Sequence, residues 1–408
     1  GPIPNPQSPI PNPQSPEINI FCILLFLKII LNKKYNLKMQ TIDGYSTVII
    51  DIGSGIIKSG FGGEDGPRNI FNSIVGFPKM PGIMVSMGQQ ERFIGDEAIS
   101  KLEIMNFNAP IQRGQVEDWD KFETLMHYLL YEKMKVVPEE ISIMITESPN
   151  SPKENKQKMS ELLFETFNVQ NIHIANSSML GLFAYGKTSG LIVDSGFNIT
   201  SSVPLYEGFP LHHASIKLNY GGEDISKSLL SMIEKELDPT YKYLKGRLLA
   251  DNIKEKLAFV SMGGDMEDEE YIYTLPEGNE IKLGKQVSKC TELLFNPGDH
   301  NELKSIDDIV VSSLSKCDPD IKDDIKESIC LIGGNTYLRN FEERLKNNLS
   351  DKKEMGNFNI SVNPERQFAS WIGGSLISSL ENFQYMWVKK EEFDENGKTL
   401  IAIDSKCF

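Results

Sequence analysis

The strongest constraint on this chain is a pattern that occurs twice: an apolar run into an aspartate, a glycine-rich turn, and a returning strand. The first copy is Val48-Ile-Ile-Asp51-Ile-Gly53-Ser54-Gly55-Ile56-Ile-Lys58-Ser-Gly60-Phe61. The second is Gly190-Leu-Ile-Val-Asp194-Ser195-Gly196-Phe197-Asn198-Ile-Thr200. β-Branched runs of this length read as buried strands, and small residues between them make a tight hairpin turn. Such a turn lets backbone N–H groups point outward and cradle an anion such as a phosphate. Lys58 adds a point charge able to meet phosphate oxygens, and Asp51 sits where a hydrated cation could be held. One hairpin of this kind is ordinary β structure. Two of them can face a single phosphate chain, with Asp51 and Asp194 converging on one hydrated Mg²⁺.

A third segment supports the same site. Cys330-Leu-Ile-Gly333-Gly334-Asn335-Thr336 is an apolar strand entering a double-glycine turn before a helix expected over Phe341–Leu349. Glycines at a strand-to-helix turn let a ligand approach the backbone closely. Lys254-Glu255, in a stretch that reads as partly helical, is a candidate for a ribose or base edge and equally a solvated helix face. Elsewhere Phe122, Leu125, Met126, Leu129 and Leu130 recur at helical spacing over Phe122–Lys133, and Ile141–Ile145 reads as a buried strand. Ser151 is the expected N-cap of the next helix, with Pro152 in its first position and Glu154 completing a capping box. Alternating strands and helices give an α/β fold class.

Composition excludes some functions. Of 408 residues 24% are charged and the formal net charge is −15, which argues against a general nucleic-acid binder. Five cysteines without CxxC spacing fit a reducing compartment better than a disulfide framework or a zinc site. Residues 1–38 differ from the rest: Ile3–Pro9 repeats at once as Ile10–Pro16, and Ile20–Leu31 is an apolar run interrupted by Lys28, short for a membrane span, with a membrane-anchored form as the rival reading. This segment is expected to be a disordered or non-native tail, with natural translation starting at Met39, the first methionine.

Many ordered motifs now converge: Gly53-Ser54-Gly55 with Lys58, Met84-Val-Ser-Met87-Gly88, Phe93-Ile-Gly95-Asp96-Glu97-Ala98, Asp194-Ser-Gly196, Ile253–Leu257, Pro364-Glu365-Arg366, Trp371–Leu376 and Lys406-Cys407-Phe408. Over essentially Tyr45–Phe408 the chain resembles actin. The resemblance implies the actin-like ATPase fold, two ribonuclease-H-like lobes with a nucleotide cleft between them. The outer lobe would be residues 40–184 plus 369–408 and the inner lobe 185–368. The crossings near Ser177–Phe183 and Arg366–Phe368 would act as a hinge. It further implies ATP or ADP with Mg²⁺ (or Ca²⁺), Asp51 and Asp194 holding the metal through water. Gly53, Ser54, Gly55, Ile56, Lys58, Ser195 and Gly196 would grip phosphates. Gly222, Lys254, Glu255, Gly333, Gly334 and Gln367 would line the rest of the nucleotide.

Departures from the family pattern are concentrated around the chemistry. The glutamine that orients the attacking water in the family is Ser177 here, a degenerate catalytic position. The second turn's later aspartate is Phe197, and two further family histidines are Ser201 and Arg113. Losing a water-orienting or proton-relaying group costs about 10²–10⁴ in rate, so nucleotide binding with slow hydrolysis is the expectation. On the adenosine side, a family arginine is Asp251, a stacking tyrosine is Leu338 and a lysine is Gln367. The apolar plug that crosses a filament axis reads Gly298-Asp299-His300-Asn301-Glu302, whereas the Met84/Met87 loop persists. The apolar cleft that accepts that loop or actin-binding proteins also persists (Phe183, Gly186, Phe209, Leu380, Met386). Two readings follow: a cytoplasmic, cytoskeletal actin-like protein that assembles with itself or with conventional actin, and a non-polymerising actin-related subunit of a larger complex.

Overall fold

The computed structural model describes residues 41–42, 45–79, 92–238, 241, 244–263, 269–275, 277–298, 304–397, 403–404 and 406–407. The N-terminal tail, the Met84/Met87 loop and the Asp299–Glu302 tip of the plug lie outside the described residues.

Each copy of the repeated pattern seeds its own sheet. In the first, β1 (Tyr45–Ile52) pairs antiparallel with β2 (Ile56–Phe61), and β2 with β3 (Asn69–Asn72). On its other side β1 runs parallel to β4 (Ile141–Glu147), which runs parallel to β5 (Asn171–Asn176). In the second, β6 (Gly190–Ser195) pairs antiparallel with β7 (Thr200–Tyr206). β7 carries β8 (Phe209–Pro210) and β9 (Ile216–Leu218). β6 runs parallel to β10 (Ile329–Ile332), and β10 to β11 (Ile360–Val362). Both sheets therefore set a hairpin beside a parallel strand. The short β12 (Val388–Lys389) closes the far edge of the first sheet against β5.

Parallel strands are covered on both faces, and their residues here are apolar almost throughout. Val48, Ile49, Ile50, Ile143, Met144, Ile145, Leu191, Ile192 and Val193 are all fully buried. The periodic run begins its helix at α1 (Trp119–His127), capped by the Asp118 side chain on the Lys121 N–H, and continues through a wider π-type turn over Tyr128–Met134. The expected Ser151 cap is corrected. α2 spans Lys153–Glu161 with Pro152 as its extended cap residue, and no side chain caps it. The Ser151 N–H is taken by the Ser148 carbonyl in a turn, so the helix starts later than its composition suggests.

The two sheets meet through α3 (Ser177–Ala184) and α7 (Ala369–Ser378), the segments expected to be crossings. A Cβ added to Gly373 would lie 1.8 Å from the Leu180 carbonyl oxygen, so only glycine permits this approach. One buried cluster joins both sheets here, with Ile49 and Met144 from the first, Ile192 and Ile332 from the second, and Leu180 and Trp371 between them. The Trp371 indole N–H donates to the Ile49 carbonyl at 3.1 Å, which satisfies the polar atom of a fully buried ring. Between α3 and α7 the inner sheet adds α4 (Gly222–Ile233), α5 (Leu244–Leu257) and α6 (Phe341–Ser350).

Candidate functional site

β1, β4, β6 and β10 end on a common cleft of about 690 Å³, within the range of small-molecule sites. Ligand crevices of open α/β sheets form at the carboxyl ends of strands, and this one is lined by Ile52, Thr146, Asp194 and Ile332 from those ends.

The first turn is tightly built. A Cβ on Gly53 would fall 2.4 Å from the Ile56 carbonyl oxygen, so the chain reverses there only with glycine. Register places Lys58 opposite Asp51, and the ammonium meets Asp51 Oδ2 at 2.7 Å. Thr146 Oγ1 donates to Asp51 Oδ1 at 2.8 Å while accepting the Ile52 N–H at 3.0 Å. The neighbouring parallel strand thus fixes a carboxylate that is itself only 7% exposed.

The second turn is held from behind. The N–H groups of Gly222 and Glu223, at the start of α4, donate to the carbonyls of Gly196 at 3.0 Å and Phe197 at 2.7 Å. Asn335 Nδ2 donates to the Gly196 carbonyl at 2.7 Å and to Ser195 Oγ at 3.1 Å. Gly333, at φ +91°, backs onto Asp194 and Ser195, and a Cβ there would lie 2.4 Å from the Ser195 carbonyl oxygen. The Asp194 carboxylate meets no hydrogen-bond donor among the described residues and lines the cleft. Burial pushes its carboxyl up to about 6, against the pull of Lys58 and with added repulsion from Asp51.

Two contacts reach across the cleft to the second turn and the helix behind it. Arg113 and Gly114 both take positive φ in the two-residue hairpin between Ile111–Gln112 and Gln115–Val116. From there Arg113 forks onto Asp224, at 2.8 and 3.2 Å, and donates to the Asn198 carbonyl at 2.8 Å. The hydrogen bond to Asp224 raises the Arg113 pKa against its partial burial. Burial alone would raise Asp224, but Arg113 and the Gly221 N–H together hold it below the ordinary carboxylate value. The second contact is Phe197, whose ring covers Gly55 directly.

Asp51, Gly53, Ser54, Gly55, Ile56, Lys58, Ser177, Asp194, Gly196, Lys254, Glu255, Gly333, Gly334 and Gln367 all line this one cleft. Ser195 and Gly222 stand behind the lining. Side chains alternate along a strand, so while Asp194 faces the cleft, Ser195 turns inward to Thr200 and Asn335. Lys254, a candidate for a ribose or base edge, is only 7% exposed. Its ammonium donates to the Gly222 carbonyl at 3.0 Å and Ser226 Oγ at 2.9 Å, and meets Asp251 Oδ1 at 3.1 Å. Asp251 therefore neutralises it inside the fold, leaving Glu255 as the member of the pair without such a clamp.

Sequence reading missed Thr146, Ser148 and Tyr337, and took Asn335 and Arg366 only as parts of motifs without assigning them to the site; all five are in the lining. Ser148 Oγ is buried with no hydrogen-bond partner among the described residues. Tyr337 is 41% exposed, and the Arg366 guanidinium lies 3.8 Å from its ring centroid. Tyr337 was discoverable, being an aromatic residue just after a double-glycine turn. Thr146 was not, because its role depends on the parallel register of β4 with β1. In the expected apolar cleft, Phe183 and Leu380 are 4% and 5% exposed, with Met386 partly buried against their cluster.

Among the described residues no cluster of three or more metal-ligating side chains exists, and no helix is long and apolar enough to cross a membrane. The family model described as Actin matches residues 42–408. That match spans both sheets, both crossings and every residue of the cleft, and on it this chain belongs to the actin family.

Proposed function

We propose that this protein is an actin-like cytoskeletal protein of the cytoplasm. It binds ATP or ADP with Mg²⁺ (or Ca²⁺) in the cleft, hydrolyses slowly, and assembles into or onto filaments. The observation that carries this reading is the convergence of both glycine turns and Gly333-Gly334 on one cleft. The residues present fit a phosphate chain and its cation. Gly53 and Gly333 let the turns close up, Gly334 leaves open space beside them, the Lys58 ammonium lies in the lining on Asp51, and Ser148 offers a hydroxyl with no hydrogen-bond partner among the described residues. Mg²⁺ keeps several waters and takes one or two carboxylates plus phosphates. Asp194, open to the cleft, suits that role, with Asp51 behind it. When bound, the cation would screen charge on the phosphates.

The chain's own groups favour binding over cleavage. Ser177 ends in a short hydroxymethyl group, and its carbonyl accepts from Ser370 Oγ at 2.9 Å, which ties α3 to α7. Ser201 is fully buried, away from any attacking water. Titration with ADP and ATP, followed by phosphate release, tests the reading. Saturable binding is expected, with release about 100-fold or more slower than conventional actin filaments. Release at the conventional rate would refute slow hydrolysis, and absence of binding would refute the nucleotide site. Sedimentation with and without conventional actin tests assembly. The polar Gly298–Glu302 segment favours the second reading, a non-polymerising subunit, and a protein that stays in the supernatant in both arms selects it.

A further inference from the structure

The ring of Phe197 is the least expected object in the cleft. A Cβ added to Gly55 would lie 2.7 Å from its Cγ, 2.9 Å from its Cβ and 3.1 Å from its Cδ1. The face of the first turn left open by a missing side chain is therefore covered by an apolar ring from the second turn. The ring is held in place from two sides. Its backbone carbonyl accepts the Glu223 N–H at 2.7 Å. Two cations from α5 flank the ring, Arg247 at 5.3 Å and Lys254 at 5.8 Å from its centroid. Both cations are themselves tethered, Arg247 to Glu223 at 2.7 Å and Lys254 to Asp251 at 3.1 Å. Swinging the ring aside would disturb that whole group.

We infer that Phe197 is a specificity-determining residue that makes this a nucleoside diphosphate site, discriminating against the triphosphate. The inference rests on the nucleotide-binding reading above. A phosphate chain that lay along Gly333-Gly334 and Lys58 would bring its outermost phosphoryl group to the space between the two turns. That group gains most from a site in which both turns offer N–H groups to it. Here one turn meets the other through an aromatic ring, which offers no donor and takes the space beside Gly55. Burying a doubly charged phosphoryl group against it forfeits solvation without replacing it. A diphosphate would end before that point and need only the Lys58 side of the first turn and the double glycine.

Calorimetric titration of the full chain with ADP and with ATP, each with Mg²⁺, tests this. ADP is expected to bind at least about 10-fold more tightly than ATP. Phe197→Ala and Phe197→Ser are expected to bring the two affinities within about 3-fold of each other, chiefly by tightening ATP. Thermal melts of both variants establish that they fold, and either folded variant suffices. Equal or tighter binding of ATP by the unsubstituted protein overturns the inference and leaves the nucleotide site standing. So does an unchanged ratio in a folded variant. Absence of binding by both nucleotides overturns the site and this inference together.

Discussion

The two glycine turns have the same plan and opposite states of satisfaction. At the first, the Asp51 carboxylate is closed off by Lys58 and Thr146, and the turn is sterically tight from within at Gly53. At the second, Asp194 faces the cleft without a donor among the described residues, and the crowding comes from outside, through Gly333 and the start of α4. The nearest heavy atom to a Cβ on Gly196 is the Ile199 carbonyl oxygen at 3.5 Å, an ordinary contact. The lesson is that sequence similarity between the copies fixes the backbone path and leaves the electrostatics free. The first turn carries a fixed, neutralised charge. The second carries a buried carboxyl whose pKa is raised by burial.

The sharpest way to break that comparison is the same substitution in both copies. Asp51→Asn removes a buried partner from Lys58, whose side chain is only 12% exposed, and is expected to cost about 3 kcal/mol in urea unfolding. An effect below about 0.5 kcal/mol would show that the pair is not a structural anchor. Next in size, Gly53→Ala should destabilise by about 2 kcal/mol while Gly196→Ala stays within about 0.5 kcal/mol. Equal costs would remove the steric half of the contrast.

Asp194→Asn should act with the opposite sign. Because burial raises its pKa to about 6 in the folded protein, the stabilisation from its neutral form is fully present below the unfolded value near 4. It is lost as pH rises through about 6. At pH 7 without ligand the variant is therefore expected to be more stable by about 1–2 kcal/mol, with a flatter profile between pH 4 and 7. Melting curves across that range check it, and destabilisation at pH 7 would mean that Asp194 has a favourable partner in solution. The smallest effect is expected at the ion pair between the 111–116 hairpin and α4. Arg113 and Asp224 side chains are 34% and 20% exposed, so Arg113→Ala should cost about 1 kcal/mol, reduced by added salt. A salt-independent loss would point to packing of the guanidinium in place of its charge.

Much of the cleft was legible in the linear chain. Asp51, Gly53, Asp194, Gly196, Gly333 and Gly334 stand in local patterns whose physics is local: a strand, a reversal that needs a missing side chain, a charge at the strand's end. Those patterns recur in order along the chain, within the family match over residues 42–408. What tertiary structure alone decided is the partner of each charge. Thr146 reaches Asp51 only because β4 runs parallel to β1 in one register. Lys254 looked available to a ligand until α5 set its ammonium between Gly222, Ser226 and Asp251. Arg113 and Asp224, and Phe197 and Gly55, are far apart in sequence and meet only when the two sheets close on the α3–α7 crossing. Strand propensity and turn chemistry act over a few residues and can be read in one dimension. Desolvation, ion pairing and the filling of space act through distance, and distance is set by the fold.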